Sequence, residues 1–179
     1  LRFGGVNEAK VDKAGRLTVP RDVREVLEAG DPAWKGAAGD KVRLVLAWGD
    51  LRYPYVTGYT FAGHQKIADE LDALDPDDPR GPELISKLIE KSEAVRIDDD
   101  GRCVLSKRIR ERLGLIDAKG AALEGVVVFA GRGGYLRLWP QAAYEAAEAA
   151  AAAAPAEGEA SVLRPGEDAV QALKRRPKG

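Results

Sequence analysis

The chain has 179 residues, enough to bury one sizeable core or two small ones. Its 28 Lys and Arg against 29 Asp and Glu leave a net charge of −1, which excludes the overall basicity of a general nucleic-acid binder and confines any such role to local charge. A single cysteine, Cys103, excludes an intrachain disulfide. The most apolar run, near residue 150, is punctuated by Glu145, Glu148 and Glu157, so the expectation is a soluble cytoplasmic protein with no membrane partner. With no methionine in the chain, residue 1 is not expected to be the encoded start.

Phe3-Gly4-Gly5 predicts a strand start. Asp12 followed by Gly15 is turn chemistry, in which the carboxylate accepts backbone N–H groups and Gly supplies positive φ. Leu17-Thr18-Val19 reads as a strand, and Pro20 suits the first position of a helix. Val23, Val26 and Leu27 give that helix one apolar face, and Gly30 ends it. After a loop from Asp31 to Gly39, Val42–Trp48 and Tyr55–Thr60 predict a hairpin. Two helical patterns follow, Phe61–Leu74 and Leu84–Glu90, separated by the acidic turn Asp75-Pro76-Asp77-Asp78-Pro79.

The first unit is then restated. Adding 86 to each number from Val11 to Leu27 gives Ile97 to Leu113, and Asp12, Gly15, Arg16, Arg24, Glu25 and Leu27 recur unchanged as Asp98, Gly101, Arg102, Arg110, Glu111 and Leu113. In this copy Ser106 predicts the helix N-cap, Ile109 and Leu113 its inner face, and Gly114 its stop. A second hairpin, Gly125–Phe129 and Tyr135–Trp139, closes around Gly131-Arg132-Gly133-Gly134. Each copy has too little core to stand alone, so the two are expected to share one barrel-like core. Gln141–Ala154 predicts a helix ended by Pro155, and the charged, Gly- and Pro-rich stretch from Glu157 a disordered tail carrying Lys174-Arg175-Arg176.

No enzyme signature emerges. Asp98-Asp99-Asp100-Gly101 lacks the glutamate a calcium loop needs at its twelfth position, where Ile109 stands, so no metal is expected. The Gly131–Gly134 segment lies between strands and opens no helix, which argues against a phosphate cradle. His64, the only histidine, reads as a surface residue.

The strand-turn unit with its Asp-x-x-x-Arg spacing resembles the AbrB-type swapped-hairpin DNA-binding domain. Two such units joined by a helical insert, Phe3-Gly4 near the start and an aromatic strand ending at Trp139 resemble the MraZ family over residues 3 to about 144. The resemblance implies an α+β fold, a duplicated swapped-hairpin β-barrel with peripheral helices. Its divisions are 1–60 for the first repeat, 61–91 for the insert, 92–144 for the second repeat and 145–179 for the helix end and tail. It also implies a nucleoid-associated bacterial regulator without a cofactor. Such a regulator, a repressor or an activator, binds repeated promoter elements of a division and cell-wall gene cluster, its own promoter included, as a homo-oligomeric ring. Asp12 and Arg16 fall on the family's motif. Ala14 stands where the family usually has Lys, and Ser106 where Pro is expected.

Charge separates the copies. Lys10, Lys13 and Arg16 outnumber Asp12 in the first turn, whereas Asp98, Asp99 and Asp100 outnumber Arg96 and Arg102 in the second. Phosphate binding draws on counterion release, so the first turn suits DNA and the second repels it. Arg16 on a narrow hairpin reaches guanine O6 and N7 in one reading and merely braces Asp12 in the other. The expected DNA-facing set is Lys10, Asp12, Lys13, Gly15, Arg16, Arg21 and Arg24, with one of the last two a solvated helix face. Asp98, Gly101 and Arg102 are expected to be structural. The competing class is a ring-forming scaffold in which both turns are structural.

Overall fold

The structure is a computed structural model that describes residues 1–154 and 169–174. It divides into two units, Leu1–Gln141 and Ala142–Gly179. The first contains β1 (Val6–Val11), β2 (Arg16–Thr18), α1 (Arg21–Ala29), β3 (Val42–Ala47), β4 (Val56–Thr60), α2 (Phe61–Asp72) and α3 (Gly81–Ile85), which runs into a π-helical turn over Ser86–Glu90. It continues through β5 (Ser92–Ile97), β6 (Arg102–Val104), α4 (Lys107–Arg112), β7 (Gly125–Gly131) and β8 (Leu136–Pro140). The second unit holds all but the first residue of α5 (Gln141–Ala153), and α6 (Ala169–Lys174). The expected disordered tail therefore contains a helix at Ala169–Lys174, and the rest of it, Arg175 and Arg176 included, lies outside the described residues.

The fold is mixed α+β with two antiparallel sheets. Six strands are ordered β1-β7-β8-β4-β3-β5, and β2 and β6 form a separate two-stranded ribbon. Replacing each strand by its counterpart in the other half of the chain reverses the six-strand order onto itself. The outer strands cross over, β1 pairing with β7 and β5 with β3. Counterparts pair with each other at the centre, Leu17 opposite Cys103 and Thr57 opposite Arg137. The offset between counterparts thus shrinks from 86 residues in the ribbon to 80 in the last strands, because the second half has shorter loops.

Alternation sets the faces. In β2 and β6 only Leu17 and Cys103 point inward. They join one buried cluster containing Val11, Val23 and Leu27 from the first half and Ile97, Ile109 and Leu113 from the second. Val23, Val26 and Leu27 supply the inner face of α1, as their spacing predicts. Ser106 caps α4, its Oγ accepting from Ile109 N at 3.4 Å, and Gly114 follows with φ +70.

Gly30 ends α1 as expected, with a negative φ, and Thr60 demands glycine there because its Cβ would lie 2.5 Å from any added methyl. Three details differ from expectation. Pro20 is extended (φ −56, ψ 146) and precedes α1 without occupying its first turn. The Leu84–Glu90 pattern is the end of α3 and a π-helical turn, with Gly49 pressed against the backbone of Lys87. His64 is buried, its Nε2 donating to the Leu88 carbonyl at 2.8 Å, a partner 24 residues away that no local pattern reveals.

Candidate nucleic-acid interface

Both Asp-x-x-x-Arg segments fold into the same turn. Asp12 Oδ1 accepts from Ala14 N and Arg16 N, both at 2.9 Å, and Gly15 N donates to the Asp12 carbonyl at 2.9 Å. Asp98 Oδ1 does the same for Asp100 N (3.0 Å) and Arg102 N (2.8 Å). Gly15 and Gly101 take φ +81 and +79, the left-handed region a side chain would strain. The turns diverge at the arginine. Arg16 Nε donates to Asp12 Oδ2 at 2.7 Å, whereas Arg102 turns away from Asp98 to pair with Asp100. The Arg16 backbone N–H, then its guanidinium, holds the Asp12 carboxyl below the usual carboxylate range.

From these turns the β2–β6 ribbon presents Arg16, Thr18, Arg102 and Val104 on one exposed face, with Arg16 opposite Val104 and Thr18 opposite Arg102. Arg16 retains 67% of its side-chain exposure. Beneath the ribbon, burial pushes the Cys103 thiol up to about 12, so it serves as a small apolar side chain.

The ribbon pairing brings each turn against the opposite half of the chain. Leu105 N donates to Gly15 O and Val19 N to Gly101 O, both at 2.8 Å. Arg110 lies across Gly15 and donates through Nη1 to the Lys13 carbonyl at 3.2 Å; Arg24 lies across Gly101 in the equivalent place. The Nε atoms of Arg24 and Arg110 are both buried without a hydrogen-bond partner.

The expected site residues therefore separate. Asp12, Lys13, Gly15 and Arg16 share the first turn. Lys10, Arg21 and Arg24 line a groove of about 390 Å³ beside β1, and Arg21 pairs with Glu25 at 3.1 Å. Arg24 belongs to the second turn's surroundings. Lys107 and Arg108 were not in the expected set; they are exposed at the start of α4, directly after the Leu105–Gly15 contact. Taken with the start of α4, the first turn has Lys13, Arg16, Lys107, Arg108 and Arg110 against Asp12 and Glu111, with Lys107 paired to Glu111 at 3.8 Å and Arg16 sharing a groove with Glu93 and Asp98. Around the second stand Arg21, Arg24 and Arg102 against Asp22, Glu25, Asp98, Asp99 and Asp100. The charge contrast legible in the turns is enlarged by the crossing of the halves. Only the 86-residue offset hinted at it.

Among the described residues no group of three or more His, Cys, Asp or Glu is placed to hold a metal. Nor is any described helix long and apolar enough to cross a membrane.

Comparison with known proteins places this arrangement among relatives. The family model described as MraZ protein matches residues 88–163. The chain is 33% identical over 156 residues to the transcriptional regulator MraZ of Ruegeria pomeroyi, covering 84% of each chain. It is 33% identical over 174 residues to the transcriptional regulator MraZ of Cereibacter sphaeroides strain ATCC 17025, covering 96% of this chain and 95% of the relative. The corresponding protein of Hydrogenovibrio crunogenus is 28% identical over 147 residues, covering 82% of this chain and 84% of the relative.

Proposed function

The chain belongs to the MraZ family of transcriptional regulators, and on that premise we propose that it binds double-stranded DNA through the β2–β6 ribbon, the first turn leading. The observation that carries the reading is the exposed Arg16 on the ribbon's outer face, beside a first turn braced by Arg110 of α4. A two-stranded ribbon fits the major groove, where arginine commonly contacts guanine. Lys13, Lys107 and Arg108 suit the flanking phosphates, Lys10 extends the surface along β1, and Arg21, on the second turn's side of the groove beside β1, reaches a phosphate only by leaving Glu25. The protein is then a nucleoid-associated regulator without catalysis or cofactor, acting on repeated promoter elements of a division and cell-wall gene cluster that includes its own promoter.

The fold fitting this role is a duplicated swapped-hairpin barrel, residues 1–60 and 92–144 forming the repeats, 61–91 the insert and 145–179 the C-terminal extension. Crossed strand pairing supports this division. Each subunit offers one modest basic turn, and a homo-oligomeric ring would raise avidity by roughly 10²–10⁴ without new contacts. The exposed Ile85 of α3 supports self-association through the insert.

One observation favours the second reading, a scaffold with structural turns: the Arg16–Asp12 pair at 2.7 Å. A gel shift on DNA upstream of the protein's own gene separates the two. Arg16→Ala should lose about 1–3 kcal/mol per site, multiplied across the ring, with Arg102→Ala near wild type and both variants keeping their melting temperature. Equal damage from Arg102→Ala would transfer the contact to the whole ribbon. No retardation of wild type at physiological salt would leave the scaffold.

A further inference from the structure

On the face of β4 and β8 away from the core, and under α3 and its π-helical extension, lies a cavity of about 420 Å³. That volume falls within the range of small-molecule sites. Its floor is aromatic. Tyr55, Tyr59 and Tyr135 line it, with Tyr59 and Tyr135 rings 6.2 Å apart and Tyr55 stacked on Tyr53 at 5.0 Å. Burial, then the neighbouring Tyr135 and Tyr55, pushes the Tyr59 hydroxyl above its ordinary value, so the ring presents an uncharged donor.

Four cations also line the cavity, and three are already satisfied. Arg52 pairs with Asp50 at 2.6 Å, Arg80 with Asp78 at 2.7 Å and Lys87 with Glu83 at 2.5 Å. Arg137 is different. It stands opposite Thr57 where β4 meets β8, with its guanidinium 4.3 Å over the Tyr55 ring. Its Nε is buried with no hydrogen-bond partner, and among the described residues no carboxylate pairs with it. A guanidinium stacked on an aromatic ring and without a counter-ion among the described residues, in a cavity with tyrosine walls, is arranged to receive a carboxylate or phosphate.

We propose that this cavity binds a small organic anion, a ring bearing a phosphate or carboxylate, with Arg137 taking the anionic group and the tyrosines packing against the ring. Arg137 has no equal in the other half, since its counterpart across the strand pair is Thr57. The site is thus single in each chain and lies on a different sheet from the β2–β6 ribbon. It stands whether or not the ribbon binds DNA.

The experiment uses the full chain with phenyl phosphate, benzoate, inorganic phosphate and uncharged phenol as probes, read by calorimetry and by NMR of the tyrosine rings. Phenyl phosphate and benzoate should bind in the millimolar range or tighter, inorganic phosphate more weakly, and phenol not measurably. Wild-type rings of Tyr55, Tyr59 and Tyr135 should shift on titration. Arg137→Gln should weaken phenyl phosphate about tenfold or more, and Arg137→Lys should retain part of it, while Lys119→Gln, exposed between α4 and β7 and not lining the cavity, changes nothing. If no charged probe binds at 10 millimolar (about the ceiling of a useful titration), or if Arg137→Gln binds as wild type, the site does not exist. Should Arg137→Gln fail to fold, the wild-type ring shifts decide: shifts in other residues alone overturn the proposal.

Discussion

Asp31 shows how one carboxylate can clasp two elements. It follows α1, its side chain is fully enclosed, and it accepts from the backbone N–H and the guanidinium of Arg43 on β3, Nε donating at 2.8 Å. Arg43 in turn covers the Phe61 ring at 3.3 Å. The Arg43 guanidinium holds the Asp31 carboxyl below the usual carboxylate range, against the opposing effect of burial. Because the folded-state value lies below the unfolded one, the stabilisation is complete above about pH 4 and is lost as pH falls through the folded value. Asp31→Asn should therefore cost about 3 kcal/mol at pH 7, since it strands a half-buried guanidinium. Urea titrations should show the gap to wild type closing below about pH 4; a gap independent of pH would remove the ion pair from the account. The sequence places Asp31 only in a loop, because its partner lies on another element. Asp12 and Asp98 were legible as turn formers because their partners are local, whereas the rivalry of Asp98 and Asp100 for Arg102 is a matter of side-chain direction that spacing does not encode.

Among the elements, the two turns tie ribbon to helix. A methyl group on Gly15 would sit 2.8 Å from the Leu105 carbonyl and 3.0 Å from Arg110 Cδ, at a φ of +81. Gly15→Ala should accordingly cost about 2 kcal/mol, part backbone strain and part displacement of Arg110. Chemical denaturation measures the loss, and a variant as stable as wild type would mean that the turn relaxes without penalty. The strands and hairpins were readable from alternation and turn residues. The π-helical turn was not, because its apolar spacing is that of any helix and the close approach of Gly49 to Lys87 joins residues far apart in the chain. The candidate site was half readable. Lys13 and Arg16 stand in the motif itself, but the cations of α4 join them only through strand pairing between residues far apart in the chain.

For the molecule as a whole, the crossed pairing decides how stability is shared. In a fragment of residues 1–82, β1 loses its partner β7, β3 loses β5, and β2 loses β6. Leu17, Val11 and Leu27 lose the apolar surfaces that cover them. Such a fragment should be poorly folded or self-associated by NMR and sedimentation, and a well-dispersed monomeric spectrum would show that each half carries its own core. The repeat pointed to a shared core but left the route of the strands open, since two units can share a core with or without exchanging strands. The exchange also fixes the order of events during synthesis. Val6 is opposite Ala130, so β1 leaves the ribosome long before the strand it must join. At about 5–20 residues per second the wait is on the order of ten seconds. Until then β1 lacks its partner strand, so a chain released early exposes unpaired strand edges of the kind that aggregate.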